Sequence, residues 1–525
     1  EVAQSVHDTA DCVIGSDAAA MVLKSLKEFR KDYTSHVVDG HCVGRFTAPV
    51  PCRSACPAGV NVPGYVALIR DGRSDDAVRL IRKDNPFPSA CALVCEHPCE
   101  TYCRRTMLDD AINIRGLKRY AVETAGDVPL PEVAPSTGQS IAVVGGGPSG
   151  LTAAYYLALM GHEVTIYERQ PELGGMLRYG IPEYRLPKAL LDKEIQGILS
   201  LGITVHTGYS VGEDCTLDSL REKFDAVYLA IGAHGDRKLR IPGEDASGVV
   251  PAVEMLRNIG LGKQIDLPGK SLLVVGGGNV AMDAARSAIR MGAKKVVVAY
   301  RRRTVDMTAQ EQEIEGALAE GVEIAQLLAP LKIETDDNGN VVALWCQQMT
   351  VGNIDDSGRP RPVASGAPDI RLACDNVVIA VGQDIQSQVF VGDGLPTSRN
   401  AVVAKDDLSV TEMPGVFSGG DCVSGPATVI RAIAAGKVAA ANIDSHLGGH
   451  HVLGAWVDIP PAVPSDLAAI GRVNMKERPA SDRVEDWEDI EIGMTKAEAM
   501  HEAKRCLRCD HYGSGAIEGG RLARW

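Results

Sequence analysis

Two cysteines, Cys506 and Cys509, stand three positions apart in EAKRCLRCD at residues 502–510, almost at the end of a 525-residue chain. Their companions in type lie far upstream. PCRSACP at 51–57 carries Cys52 and Cys56, and CALVCEHPCETYC at 91–103 carries Cys91, Cys95, Cys99 and Cys103. Thiolates at such short spacings hold soft metals. Iron–sulfur clusters take four thiolates each, zinc takes similar pairs, and a disulfide framework is the third option. Disulfide frameworks suit small secreted domains, not a long chain with nucleotide motifs, so iron–sulfur is the favoured reading and zinc the next. Cys422 stands alone and reads as a small buried residue, and Cys42 beside His41 takes no assignment.

A second chemistry is written in glycines. In QSIAVVGGGPSGLTAAYYLALMGHEVTIYE (139–168), an apolar strand runs into Gly145, Gly147 and Gly150 at G-x-G-x-x-G spacing, with Pro148 and Ser149 inside the turn. Gly145 permits the tight turn, Gly147 lets the backbone approach a pyrophosphate, and Gly150 lets helix and strand pack closely. The next strand ends in Glu168, an acceptor for a ribose diol. A second copy, SLLVVGGGNVAMDAARSAIRMGAKKVVVAYRRR (271–303), has Gly276, Gly278 and Ala281 at the small positions, with Asn279 and Val280 opening its helix. Its strand ends not in an acid but in Arg301, Arg302 and Arg303. Arginine forks pair with a 2′-phosphate that an acid would repel, so this site is expected to take NADPH; a solvated basic turn is the alternative. The first site is then expected to hold FAD, with Gly175 and Met176 as further contacts.

The elements that must position these residues follow from composition and pattern. Hydrophobic residues make up 45% of the chain, aromatics 4%, and glycines number 55, enough for sizeable cores with many tight turns. The net charge of −14 argues against nucleic acid or an anionic membrane surface as partner. No apolar run reaches the ~18 residues of a membrane span, and the polar start does not resemble a signal peptide, so a cytoplasmic location is expected. The opening Glu1 in place of Met fits a chain processed or cut from a longer one. The expected fold is α/β: two Rossmann-like dinucleotide-binding domains, the NADP domain inserted in the FAD domain, behind an N-terminal all-α iron–sulfur domain. The boundaries expected are 1–42 for an iron–sulfur segment, 43–126 for the helical 4Fe–4S domain and 127–138 for a Pro-rich linker. FAD domain halves follow at 139–248 and 376–450, around an NADP domain at 249–375, with a C-terminal wrap at 451–525. Thr495 and Glu498 have capping-box spacing, and Cys506 and Cys509 are expected to stand on the helix that starts there.

GVFSGGDCVSGPATVIRAIAAGKVAAANI (415–443) resembles the closing FAD motif of two-dinucleotide flavoproteins, which makes Gly420, Asp421 and Thr428 FAD candidates. The order C-x3-CP, then NPFPSACALVCEHPCETYC, then INIRGLKRYAVE, then both nucleotide motifs resembles the glutamate synthase small subunit family over about residues 45–450. Its relatives include the NADPH-binding half of dihydropyrimidine dehydrogenase and the large subunit of NADH-dependent ferredoxin:NADP oxidoreductase. The resemblance implies FAD, NADP(H) and two 4Fe–4S clusters. The family usually writes an RCLxC-type pair just before its C-x3-CP, where this chain has Gly44 and Thr47; KRCLRCD at 504–510 looks like that element moved to the other end. By that resemblance the first cluster would take Cys52, Cys103, Cys506 and Cys509, and the second Cys56, Cys95 and Cys99. A Glu or Gln often completes the second cluster in relatives. Lys118 stands there in this chain and cannot serve, which leaves Cys91 as substitute.

Residues 8–37 resemble instead the tail of the NADH-binding, FMN-containing subunit of complex I and of bifurcating hydrogenases, implying that Cys12 is one ligand of a third 4Fe–4S cluster; an amphipathic helix with a buried cysteine is the alternative. The activity implied is that of an electron-transfer flavoprotein subunit working between NADP(H), FAD, two clusters and other redox subunits. The complex would be electron-bifurcating, or linked to ferredoxin or NADH. The other readings are a glutamate synthase small subunit feeding an amidotransferase partner, and a non-catalytic nucleotide-binding module.

Overall fold

The computed structural model describes residues 2–28, 30, 50–263, 265–355, 358–462 and 468–511. Two helices open the chain, α1 (Val2–Thr9) and α2 (Val13–Glu28), packed against each other. A bundle of short helices follows: α3 (Pro51–Ser54), α4 (Val62–Arg70), α5 (Ser74–Arg82), α6 (Pro88–Val94), α7 (Pro98–Thr101) and α8 (Ile114–Thr124). Their starts are written locally. Proline opens α3, α6 and α7, where its missing N–H costs nothing. Asn61 caps α4 by accepting from the Gly64 N–H, and Asn113 caps α8 through Gly116 N–H at 2.8 Å. Tyr65, Leu68, Ile69, Ile81, Phe87 and Leu117 are buried between them.

The chain then enters a parallel sheet through β1 (Ser140–Val144), helix α9 (Pro148–Leu159), β2 (Glu163–Glu168), helix α10 (Lys188–Leu199), β3 (Thr204–Thr207) and β4 (Ala226–Leu229). It leaves for a second sheet built from β5 (Val249–Pro251), β6 (Ser271–Val275), helix α11 (Asn279–Arg290), β7 (Lys295–Tyr300) and β8 (Glu323–Gln326). An antiparallel excursion, β9 (Leu328–Thr335) to β12 (Ile370–Ala373), follows through β10 (Val341–Ile354) and β11 (Pro360–Ala364). Its first turn is closed by the Asp336 carboxylate, which accepts from the Asn338 and Asn340 N–H groups. Strand β13 (Asn376–Ile379) completes the second sheet in the order β5-β13-β6-β7-β8. Strand β14 (Val416–Ser418) returns to the first sheet, whose order is β14-β4-β1-β2-β3. The second sheet is thus threaded between strands of the first, and the two crossing segments, Gly235–Asp236 and Gln383–Asp384, pair antiparallel. The inner strands β1, β4, β6 and β13 carry continuous apolar runs because both of their faces are covered, while the edge strands β3 and β8 are polar and half exposed.

Helix α12 (Val429–His446) closes the first sheet and packs along α9, where Gly436 is needed because a Cβ there would lie 2.3 Å from the Ser149 carbonyl oxygen. One apolar core runs from the helical bundle through α9, α10 and α12. Lys437 on α12 reaches back to the Ala58 carbonyl and the Asp84 carboxylate of the bundle, at 3.1 and 2.5 Å. Beyond α12 the chain runs back across the bundle to helix α13 (Lys496–Lys504), which packs on α4 and α8. Among the described residues no helix is long and apolar enough to cross a membrane.

Candidate redox site

Cys52 in α3, Cys103 just after α7, and Cys506 and Cys509 just after α13 line one small cavity. Its remaining walls are largely apolar, with Val62, Val66, Ile112 and Ile114 among them. The Thr495/Glu498 capping box starts α13, yet the two cysteines are not on the helix. The helix stops at Lys504, and Arg508 takes a left-handed φ of +50° in a turn flanked by the thiols. Both thiols of this turn face the one cavity. The pair is fixed by a buried ionic network. Glu502 accepts from the Asn113 and Val473 N–H groups, each at 2.7 Å, and from Arg505 at 2.6 Å. Arg505 also reaches Asp109, and Arg105 donates to the Arg505 carbonyl and to Asp109. Burial pushes the Cys506 thiol up to about 12, and burial followed by the neighbouring thiols pushes Cys52 well up.

The other early cysteines sit around α8. Cys91 is on α6, Cys95 ends it, Cys99 is on α7, and all three with Cys56 surround the buried Lys118. The Cys91 thiol donates to Cys95, which also accepts from His97 N–H at 3.4 Å; the Cys91 contact and then Lys118 hold Cys95 down at about 6. Arg115, one turn before Lys118, donates to the Leu93 carbonyl at the end of α6 and pairs with Glu491. The front of α6 is capped from the nucleotide domain: Glu194 on α10 accepts from the Ser89 and Ala90 N–H groups, and burial raises its carboxyl to about 7. Among the described residues only His162, Asp444 and His451 bring three possible ligand atoms within 4.8 Å of one another. A single zinc held by thiolates at ~2.3 Å would need sulfurs about 3.8 Å apart. Neither thiol set brings three sulfurs that close among the described residues, so neither is arranged for a single zinc, while four thiols in each set match the number of ligands a cluster takes. The His162–Asp444–His451 trio is bridged by hydrogen bonds to one Asp444 oxygen, and pins the chain after α12 onto the start of β2.

A cavity of about 320 Å³ opens at the C-terminal ends of the first sheet, lined by Gly145, Gly147, Pro148, Ser149, Glu168, Met176 and Asp421 among others. The glycines do distinct jobs. Gly145 has φ +107°, and a Cβ on Gly150 would lie 1.9 Å from the Gly145 carbonyl oxygen. A Cβ on Gly147 would meet no atom closer than 3.7 Å, so its backbone is open to a ligand. Gly175 comes so close to Gly147 that a Cβ on it would lie 2.7 Å from the Gly147 Cα. The Glu168 carboxylate accepts from Gly146 and Gln170 N–H groups at 2.7 and 2.8 Å, and burial raises its carboxyl above the ordinary value. Burial also raises Asp421 to about 6 and lowers His234, another lining residue, to about 3, so its ring is neutral. Gly420 precedes Asp421 with φ +79°, while Thr428 is the residue before α12 and does not line the cavity. The glycine cradle and the acid at the end of β2 fit an adenine dinucleotide.

The second turn has the same build: Gly276 has φ +149°, Gly278 precedes α11, and Asn279 and Val280 are the helix's first residues. Its arginines are not equivalent. Arg301 is exposed, whereas Arg302 is buried against Asp355 at 2.6 Å and Arg303 pairs with Asp306 at 2.8 Å. The Asn279 amide donates to Glu96, the residue after Cys95, at 3.1 Å, so the second thiol set touches this turn.

The family described as pyridine nucleotide-disulphide oxidoreductase matches residues 111–213 and 139–436. The chain belongs to this family. This oxidoreductase also matches the family described as dihydropyrimidine dehydrogenase domain II, 4Fe-4S cluster, over residues 40–128. It is 38% identical to the NADP(+)-dependent formate dehydrogenase subunit beta of Moorella thermoacetica, over 89% of this chain and 72% of that one. It is 34% identical to the NADPH-Fe(3+) oxidoreductase subunit beta of Geobacter sulfurreducens, over 98% and 84%. The glutamate synthase [NADPH] small chain of Escherichia coli is 32% identical over 75% of this chain and 87% of its own. FprA of Mycobacterium tuberculosis in complex with NADPH shares the fold, with 22% identity, a TM-score of 0.52, and coverage of 60% and 85%. The chain is thus an NADPH-dependent FAD and iron–sulfur oxidoreductase.

Several parts of the oxidoreductase had no signal in its motifs. The Glu502–Arg505–Asp109–Arg105 network is one; only the arginines inside KRCLRCD hinted at it. Tyr167, Tyr209, His234 and Phe390 in the first cavity are others, scattered over four segments. Cys12 lies exposed in the turn between α1 and α2, not buried, and Cys422 is fully buried under the first cavity. Cys42, Gly44 and Thr47 lie outside the described residues, as does most of 29–49.

Proposed function

We propose that the chain is the NADP(H)-handling subunit of a larger redox complex, carrying electrons between the nicotinamide and a partner subunit through FAD and two 4Fe–4S clusters. FAD, when bound, supplies the conversion between a hydride and single electrons. The chain's own residues supply placement. The backbone at Gly147 and the start of α9 receive the dinucleotide phosphates, Glu168 takes the ribose, and the neutral His234 adds no charge beside the isoalloxazine-bearing nucleotide. Cys52, Cys103, Cys506 and Cys509 are read as holding one cluster, and Cys56, Cys91, Cys95 and Cys99 the other. The observation that carries this reading is the single cavity lined by thiols from both ends of the chain.

A formate- or metal-linked partner in a reducing, cytoplasmic setting is favoured over an amidotransferase. The match to the formate dehydrogenase and iron-reductase subunits extends over 89% and 98% of the chain, against 75% for the glutamate synthase small chain. Ferredoxin as partner and electron bifurcation stay within this proposal as finer alternatives, and Cys12 as a ligand of a third cluster needs thiols from outside the described residues. The test is direct. The purified chain should contain about eight irons, and NADPH should bleach its flavin band. Arg301→Ala should lower the preference for NADPH over NADH by about tenfold or more, the loss of one charge-assisted contact. An unchanged ratio would show that the basic turn does not read the 2′-phosphate.

A further inference from the structure

We infer that Lys118 is the built-in counter-charge of the second thiol site and sets the reduction potential of the cluster proposed there; this rests on the reading of Cys56, Cys91, Cys95 and Cys99 as that cluster's ligands. Lys118 is 7% exposed on α8, a helix that packs against α6. Burying an ammonium costs several kcal/mol unless a negative charge is close. Among the described residues no carboxylate forms an ion pair with it. Neighbouring cations do have such partners: Arg115 pairs with Glu491, and Arg119 with Glu123 and Asp489. What surrounds Lys118 instead is sulfur, with Cys91, Cys95, Cys56 and Cys99 as its charge neighbours. A lysine in this position makes sense only when those sulfurs carry negative charge.

The consequence is electrostatic. Four thiolates around iron make a net anion, and each added electron makes it more negative. A fixed cation beside it stabilises the reduced form more than the oxidised form, so it raises the midpoint potential. At the first site the buried cations Arg105, Arg505 and Arg508 are all paired with carboxylates, and the one further cation lining its cavity, Arg104, is exposed to solvent, which screens its charge. Lys118 acts as a positioning charge and not as a ligand.

The experiment compares the full-length, iron-loaded wild type with K118M, which keeps the length of the side chain, and K118R, which keeps the charge. Each is followed by iron content and by an EPR-monitored redox titration. K118M should shift one of the two midpoints to more negative potential and leave the other in place, while K118R should stay near wild type. Two unmoved midpoints in a fully loaded K118M would overturn the inference. If K118M instead fails to load the second site, K118R should load it; equal loss in both variants would make Lys118 a packing residue and overturn it too. A C91A variant separates the layers. Should it keep its full iron and both EPR signals, the four-thiol assignment itself fails, a result distinct from a loaded site whose midpoint does not move.

Discussion

Thiols gather at two places in the helical bundle, and the two are assembled by different means. The second set is local: three of its cysteines fall within residues 91–99, on and beside two short helices that proline and a carboxylate cap put in place. The first set joins residues 52 and 103 to residues 506 and 509. Closing so long a loop costs more chain entropy than closing a short one, though only logarithmically more. The greater difficulty is aim, since nothing local holds the last pair against the bundle. A buried ion-pair network does that, and its members carry no thiol. The second set has ion pairs of its own nearby, Arg115 with Glu491 and Arg119 with Asp489, but it also has a cation, Lys118, with no carboxylate partner among the described residues and sulfurs as its charge neighbours. One site is therefore held by charge around it, and the other balanced by charge within it.

The most drastic way to break this contrast is to remove the distant pair. The double variant C506A and C509A should lose about four of about eight irons and one EPR signal, while the flavin still bleaches with NADPH. Retention of all the iron would mean that the thiols from the two chain ends do not share a cluster. Next in size is Glu502→Ala. It leaves Arg505 without its nearest partner and strands the Asn113 and Val473 N–H groups, a buried loss of about 3–5 kcal/mol. Chemical denaturation followed by tryptophan and iron release should show the first site emptying before the second. Simultaneous release from both would mean that the network supports the whole bundle and not the first site alone.

The contrast also explains what could be read in the residues. Both nucleotide turns were legible because glycine spacing reports a backbone need directly: only a residue without Cβ fits 1.9 Å from the Gly145 oxygen. The meeting of Cys506 and Cys509 with Cys52 and Cys103 was legible as a displaced motif, not from any local pattern. Its support was not, because Glu502, Arg505 and Asp109 look like ordinary surface charges until the chain ends are brought together. The arginine run shows the same limit. Three adjacent arginines read alike, but β7 turns Arg302 inward to Asp355, a residue on the far hairpin, and leaves Arg301 facing out. The helix expected under the cysteine pair ends before it, at Lys504, and the chain turns at Arg508 with a thiol on either side.

The smallest predicted effect concerns a contact between a thiol set and a nucleotide turn. Glu96 follows Cys95 directly, and its carboxylate accepts from the Asn279 amide at the start of α11. The N-terminus of that helix is where a pyrophosphate is expected, so Glu96 adds a negative charge where NADP(H) brings its own. Glu96→Gln keeps an acceptor for Asn279 and removes the charge. The Kd for NADP+ should fall about twofold to fivefold, the value of one charge near a helix end. The gain should shrink as salt rises, because the contact is exposed and screened. Iron content should not change. If the affinity at low salt is the same in both proteins, the pyrophosphate does not approach Glu96, and the second thiol site and the nucleotide turn are neighbours without being coupled.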